Sequence, residues 1–145
     1  MIIVLFGQPA AGKTTLAKKL IAEGFHHIDG DHLRDVFKNK DYSREGRIKN
    51  LNRASDIAHY LDRVRSYNVV LSLVYPYEEA REYLNQLNND IKWIYLTYQE
   101  DRGRDQFKVE DFELPHMNDV HLIINTSHNS IEESVKQIKL VCKIF

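Results

Sequence analysis

Cysteine is almost absent from this 145-residue chain. Cys142 stands alone, so no disulfide can form within the chain, and a reducing compartment is the expected setting. An excess of one charge is also missing. The 20 Lys and Arg nearly cancel the 21 Asp and Glu, leaving a net charge of −1. Bulk charge therefore gives no reason to expect a nucleic-acid partner. Long apolar runs are lacking as well. The IIVLF of Ile2 to Phe6 is too short to cross a bilayer or to form the apolar core of a secretory signal, and no basic residue precedes it. The expected location is the cytoplasm, with no membrane partner. There is no internal repeat, low-complexity tract or interdomain linker, so residues 1–145 are expected to form one domain.

What is present is an ordinary globular balance, 43% hydrophobic and 28% charged, in a chain long enough to bury a core without staples. Ile2 to Phe6, bounded by Gly7, reads as a buried strand. Lys13 to Glu23 carries Leu16, Leu20 and Ile21 on one helical face and stops at Gly24. Phe25 to Ile28 is a short strand, after which Asp31 is expected to cap a short helix through Phe37. From Ser43 to Tyr67, Ile48, Leu51, Ala54, Ile57, Leu61 and Val64 recur at steps of three and four, the mark of one long helix. Val69 to Val74 reads as a strand, Glu78 to Leu87 as a helix, Ile91 to Tyr98 as a strand and Val120 to Ile124 as the last strand. Ser130 and Glu133 form a capping box ahead of Ile131, Val135, Ile138 and Val141. Strands alternating with helices predict an α/β fold of three layers, a five-stranded, mostly parallel sheet with helices on both faces. The polar stretch from Gln99 to Asp119 is long for an inert connection and is expected to act as a lid or binding loop.

The chemistry begins at GQPAAGKTT, Gly7 to Thr15. Gly7-x-x-x-x-Gly12-Lys13-Thr14 is a full Walker A pattern, the P-loop of nucleoside-triphosphate-binding folds, set between a buried strand and a helix. Its glycines let the loop curl until the N–H groups point at phosphates, and the following helix adds its positive end. Lys13 is expected to pair with the β and γ phosphates, and the Thr14 hydroxyl to hold Mg²⁺. ATP or GTP, and kinase or ATPase, stay open on this pattern alone.

Three further clusters bear on the acceptor. In IDGDHLRDVF, Asp29 and Asp31 flank a glycine at a strand's carboxyl end, where open sheets bind ligands. Either can approach a metal or take a proton from an attacking hydroxyl, and Arg34 follows one turn later. In DYSREGRIKNLNRA, Arg47, Lys49 and Arg53 form either a basic face or a solvated helix surface. In SLVYPYEEAR, polar and aromatic residues follow a strand directly, as pocket lining or as a plain turn begun at Pro76.

In this order and spacing the four clusters resemble the adenylylsulfate kinase family, which phosphorylates adenosine 5′-phosphosulfate (APS) on its 3′-hydroxyl. The resemblance is dense from Ile2 to about Arg81 and resumes from Asp111 to Ile138. It implies that Gly7, Ala10, Ala11, Gly12, Lys13, Thr14 and Thr15 hold ATP, with Arg102 and Arg104, beside Lys108, reaching it from the lid segment. It implies a catalytic group of Lys13, Asp29 and Asp31, one of the two carboxylates being the base, and Mg²⁺ at Thr14 and Asp29. For the acceptor it implies Asp31, Arg34, Arg47 and Asn50, Tyr42 stacked on the adenine, and a lining of Ser72, Leu73, Pro76 and Tyr77. Arg81 matches a further basic position, and a homodimer is implied. The chain departs from the pattern at His32, where the family has Asn, and at Leu73, where it has a second stacking Phe. It also lacks the family's basic lid helix with its Gly-Leu-Tyr-Lys sequence, having QEDRGRDQFKVE instead. Two other expectations stand beside this one: another small P-loop kinase, acting on a nucleoside, a sugar or a nucleic-acid end, and a nucleotide-binding module without turnover. His26, His27, Trp93 and Cys142 are expected to pack or lie at the surface and to bind no metal.

Overall fold

The computed structural model describes residues 1–144. Five strands form one sheet in the order β2-β3-β1-β4-β5, with every pairing parallel. They are β1 (Ile2–Phe6), β2 (His26–Asp29), β3 (Val69–Ser72), β4 (Ile91–Thr97) and β5 (Leu122–Asn125). The helices are α1 (Lys13–Ile21), α2 (Gly30–Phe37), α3 (Arg44–Arg65), α4 (Glu78–Leu87) and α5 (Ile131–Cys142). Short 3₁₀ turns occupy Asp105–Phe107 and Met117–Asp119.

β1 lies at the centre, and all five of its residues are fully buried. Its side chains alternate between two cores. Ile2, Val4 and Phe6 meet Leu51, Ala54 and Ala58 of α3 and Ala80 and Leu84 of α4. Ile3 and Leu5 meet Leu16, Ala17 and Leu20 of α1 and Ile138 and Cys142 of α5. A central strand covered on both faces must be apolar at every position, which is why IIVLF reads as a run and not as an alternation. Trp93 on β4 is buried in the first core, and its indole N–H donates to Asn85 Oδ1 at 2.8 Å. Cys142 is buried in the second, which pushes its thiol up to about 11.

Three local expectations change. Asp29, not Asp31, caps α2: its carboxylate accepts the His32 N–H at 3.3 Å. β3 ends at Ser72, because the Val74 carbonyl turns to accept the Gly7 N–H at 3.2 Å. Val64, placed on the buried face of α3, is exposed near that helix's end, beyond the edge of the sheet core. Ser43 and Ser130 cap α3 and α5 through the N–H groups of Gly46 and Glu133. Among the described residues, no helix is long and apolar enough to cross a membrane.

Candidate active site

The chain leaves β1 at its carboxyl end, next to both β3 and β4, and curls at once into the phosphate loop. Gly7 sits at φ +144°, and a Cβ there would fall 2.3 Å from the Leu96 carbonyl oxygen. Only glycine lets the loop pass so close to β4. Ala10 and Gly12 are also left-handed, at φ 69° and 101°, and α1 begins immediately after. The Lys13 amine folds back and donates to the carbonyls of Gly7 and Gln8, at 3.0 and 2.8 Å. Burial lowers its pKa from 10.5 to about 8, against the pull of Asp31 and Asp29, while Arg104 lowers it further. A lysine so placed is poor in anionic partners and suited to an incoming phosphate.

Facing the loop, the end of β2 presents Asp29. The Thr14 and Ser72 hydroxyls donate to its Oδ1 at 3.3 and 3.1 Å. Behind them, His27 Nε2 lies 2.6 Å from Ser72 Oγ. Because the Ser72 proton points to Asp29, His27 must carry its proton on Nε2 and donate. Burial also lowers the His27 pKa, which favours the neutral ring. Mg²⁺ usually takes one or two protein oxygens and completes its shell with phosphates and water. The Thr14 hydroxyl and Asp29 carboxylate, already in contact at the mouth of the phosphate loop, fit that donor set. Asp31, in the first turn of α2, is exposed, and its carboxylate makes no hydrogen bond among the described residues.

In front of these groups opens a cleft of about 690 Å³. Its walls bring together Ala10, Lys13, Thr14, Asp29, Asp31, Arg34, Tyr42, Arg47, Asn50, Ser72, Leu73, Pro76 and Arg104 from the expected set. The stretch Gln106–Val109 closes it from above. Within it, Arg34 stacks 4.1 Å from the Tyr42 ring centroid and donates to the carbonyls of Asn39 and Asp41 at 3.1 Å each. Asn50 is buried, its amide donates to the Gly30 carbonyl at 3.4 Å, and its Oδ1 has no partner. Of Arg47, Lys49 and Arg53 in the third cluster, Arg47 alone lines the cleft. Lys49 is exposed, and Arg53 lies over the Phe37 ring at 4.4 Å.

Tyr77 is placed differently from expectation. It is fully buried, with its hydroxyl 3.0 Å from Asp111 Oδ1 and 3.4 Å from an Arg47 nitrogen, so it holds Arg47 from behind the wall. Arg81 is buried too, donating to the carbonyls of Tyr75 and Glu113 at 2.7 and 2.8 Å, and serves as a structural tie. Arg102 and Thr15 face a second, smaller cleft of about 240 Å³ on the other side of the loop, with Gly12, Thr126, Asn129 and Ser134. Arg102 is held there by the Ala10 carbonyl at 2.7 Å and by Glu100. The sequence reading missed Gln8, Gln106, Phe107, Thr126 and Asn129. A cue for the last two existed: NTSHNS follows a strand at the ligand-binding end of the sheet.

A glycine loop at the centre of a parallel sheet, with a lysine, a hydroxyl–carboxylate pair and a cleft for a second molecule, defines a P-loop phosphotransferase. The sequence model of the family described as adenylylsulphate kinase matches residues 1–105, and the chain belongs to that family. It is similar to the adenylyl-sulfate kinase of Staphylococcus carnosus (strain TM300), at 24% identity over 163 residues, covering 95% of this chain and 81% of that one. Its fold matches the Mycobacterium tuberculosis APS kinase CysC, solved in complex with AMPPNP and APS, with TM-score 0.80, 19% identity and 98% and 96% of the two chains covered. It also matches a gluconokinase from Sinorhizobium meliloti 1021, with TM-score 0.73, 16% identity and 97% and 90% covered.

Proposed function

We propose that this kinase moves the γ-phosphate of ATP to the 3′-hydroxyl of APS, in sulfate activation. One observation carries the reading: a single cleft joins Lys13, Thr14 and Asp29 to Tyr42, Arg47 and Asn50. The ATP phosphates lie in the Gly7–Thr15 loop, and its nucleoside end extends into the smaller cleft past Thr15, Arg102 and Thr126. Mg²⁺, held by Thr14 and Asp29, supplies charge neutralisation on the transferred group. Lys13 leaves the Gly7 and Gln8 carbonyls to meet the phosphates. Asp29 is engaged by Thr14, Ser72 and the α2 cap, whereas Asp31 is free at the cleft wall. Asp31 is therefore the base that takes the acceptor proton. Arg47, backed by Tyr77, meets the anionic part of the acceptor, and the open face of Tyr42 stacks on its adenine. Arg104 reaches the phosphates from the lid segment. The setting is cytoplasmic and the assembly a homodimer.

A second reading is favoured by Arg34, whose guanidinium already serves two main-chain carbonyls and the Asn39 side chain. With Arg34 engaged in this way, the cleft also suits a smaller anionic acceptor such as a sugar acid. Purified protein with Mg·ATP, offered APS, gluconate, nucleosides and a 5′-hydroxyl oligonucleotide, separates these readings through ADP release and the labelled product. A 3′-phosphorylated APS product is expected; phosphorylation of another acceptor alone overturns the APS assignment. Asp31→Asn should keep ATP affinity within about twofold while transfer falls about 10²-fold or more. Unchanged transfer would remove Asp31 as the base. ATP binding with no transfer to any acceptor would leave a nucleotide-binding module.

A further inference from the structure

We infer that Gln8 is a positioning residue for phosphoryl transfer, clamping the phosphate loop to the lid segment. This rests on the reading of Gly7–Thr15 as the ATP phosphate site. Gln8 is the second residue of that loop. Its side-chain amide donates to the Val109 carbonyl and accepts the Val109 N–H, both at 2.9 Å. The two bonds together fix the amide's orientation, since a flipped amide would set donor against donor and acceptor against acceptor. The Gln8 main chain meanwhile faces the catalytic lysine: its carbonyl accepts the Lys13 amine at 2.8 Å. One residue thus touches Lys13 through its backbone and the lid segment through its side chain.

Val109 is what makes the clamp matter. It is 5% exposed and packed in the core, whereas residues 103–108 before it are all exposed. Upstream, the stretch is tied down at Arg102, which donates to the Ala10 carbonyl. Downstream, the Glu113 N–H donates to the Pro76 carbonyl at 2.7 Å, and Asp111 meets Tyr77. Residues 103–108 therefore hang between Arg102 and Val109, and they carry Arg104 and Lys108 to the cleft wall. The far end of that span is set by Gln8. Without it, the buried Val109 would keep an N–H and a carbonyl with no side chain to pair them. This chain has a short irregular span in the lid position, so a side-chain clamp supplies the definition that a helix would otherwise bring.

The test combines amide hydrogen exchange at Val109 with calorimetric affinity for Mg·AMPPNP in wild type, Gln8→Leu and Gln8→Glu. Glu keeps the acceptor for the Val109 N–H and loses the donor to its carbonyl. In Q8L, Val109 exchange should speed up about tenfold or more, and the Kd should rise about fivefold. Val109 exchange in Q8E should fall between Q8L and wild type, while its added negative charge in the phosphate loop weakens Mg·AMPPNP binding. The decisive comparison adds Lys108→Ala. In wild type it should weaken binding about fivefold, and in the Q8L background less than about twofold, because Lys108 is already displaced. Fully additive losses, or Val109 protection unchanged in Q8L, would overturn the inference while leaving the nucleotide site intact. A wild-type protein that fails to bind AMPPNP would instead sink the nucleotide reading, and the part of Gln8 in transfer with it.

Discussion

Lys13 shows how a residue's environment sets its readiness. Its folded pKa of about 8 lies below the ordinary 10.5 because burial disfavours the charged amine. Phosphates favour the charged form, so binding raises the pKa again. Above pH 8 the free protein holds a growing neutral fraction, and each binding event must take up a proton. Affinity for Mg·ATP should therefore be flat from about pH 6 to 7 and fall as pH rises through 8. Calorimetry in two buffers of different ionisation enthalpy should show net proton uptake near pH 8.5 and none near pH 6.5. Equal heats at pH 8.5, after correction for the other groups, would mean that the amine stays charged throughout. Lys13 was legible because its partners lie within six positions, so spacing alone placed it. The Asp29 array was legible only in part. Thr14 and Asp29 could be paired by their chemistry, but Ser72 reaches the same carboxylate from a strand 43 residues away, and His27 backs Ser72 from β2 itself. No local pattern signals that convergence.

Elements with strong periodicity were read from the sequence, with ends that shift by one or two residues, because amphipathic helices and buried strands are dictated by which faces must leave water. The Gln99–Asp119 segment was not, because its path is set by distant ties. Those ties differ greatly in weight. Arg44 reaches Glu79 and Glu113 from a side chain that is 42% exposed. Arg81 is 8% exposed and donates to two main-chain carbonyls, joining the β3–α4 turn to Glu113. Arg44→Ala should cost little, as solvated pairs do. Arg81→Met, which keeps most of the stem's packing, should cost about 2–3 kcal/mol through the loss of two charge-assisted bonds to carbonyls. Urea unfolding of the two variants would show this order; equal midpoints would mean that the buried guanidinium is not a tie. The same logic explains Tyr77. Its place after Pro76 suggested a pocket wall, but a tyrosine at a helix N-cap can bury its ring and present only the hydroxyl, here to Arg47 and Asp111.

At the scale of the molecule, the sheet order puts the phosphate loop between two clefts. One lies toward β5 and α5 with Arg102 and Thr126, the other toward β2, α2 and α3 with Asp31, Tyr42 and Arg47. A donor and an acceptor can thus meet at Lys13 from opposite sides. The fold is shared with an APS kinase and a gluconokinase, so acceptor identity must come from the wall residues, and Leu73 is the sharpest probe among them. It is 4% exposed and packs so closely on α2 that a Cβ at Gly30 would lie 3.1 Å from its Cγ. A larger side chain at 73 cannot move toward Gly30 and must extend into the cleft that Tyr42 also lines. If the acceptor carries an adenine, Leu73→Phe adds a second stacking surface worth about 1 kcal/mol, and the KM for APS should fall about fivefold with kcat little changed. If the acceptor is a sugar acid, the added ring only fills space, and its KM should rise. The two outcomes have opposite signs in steady-state kinetics on one variant, so the result assigns the pocket without a structure of the complex.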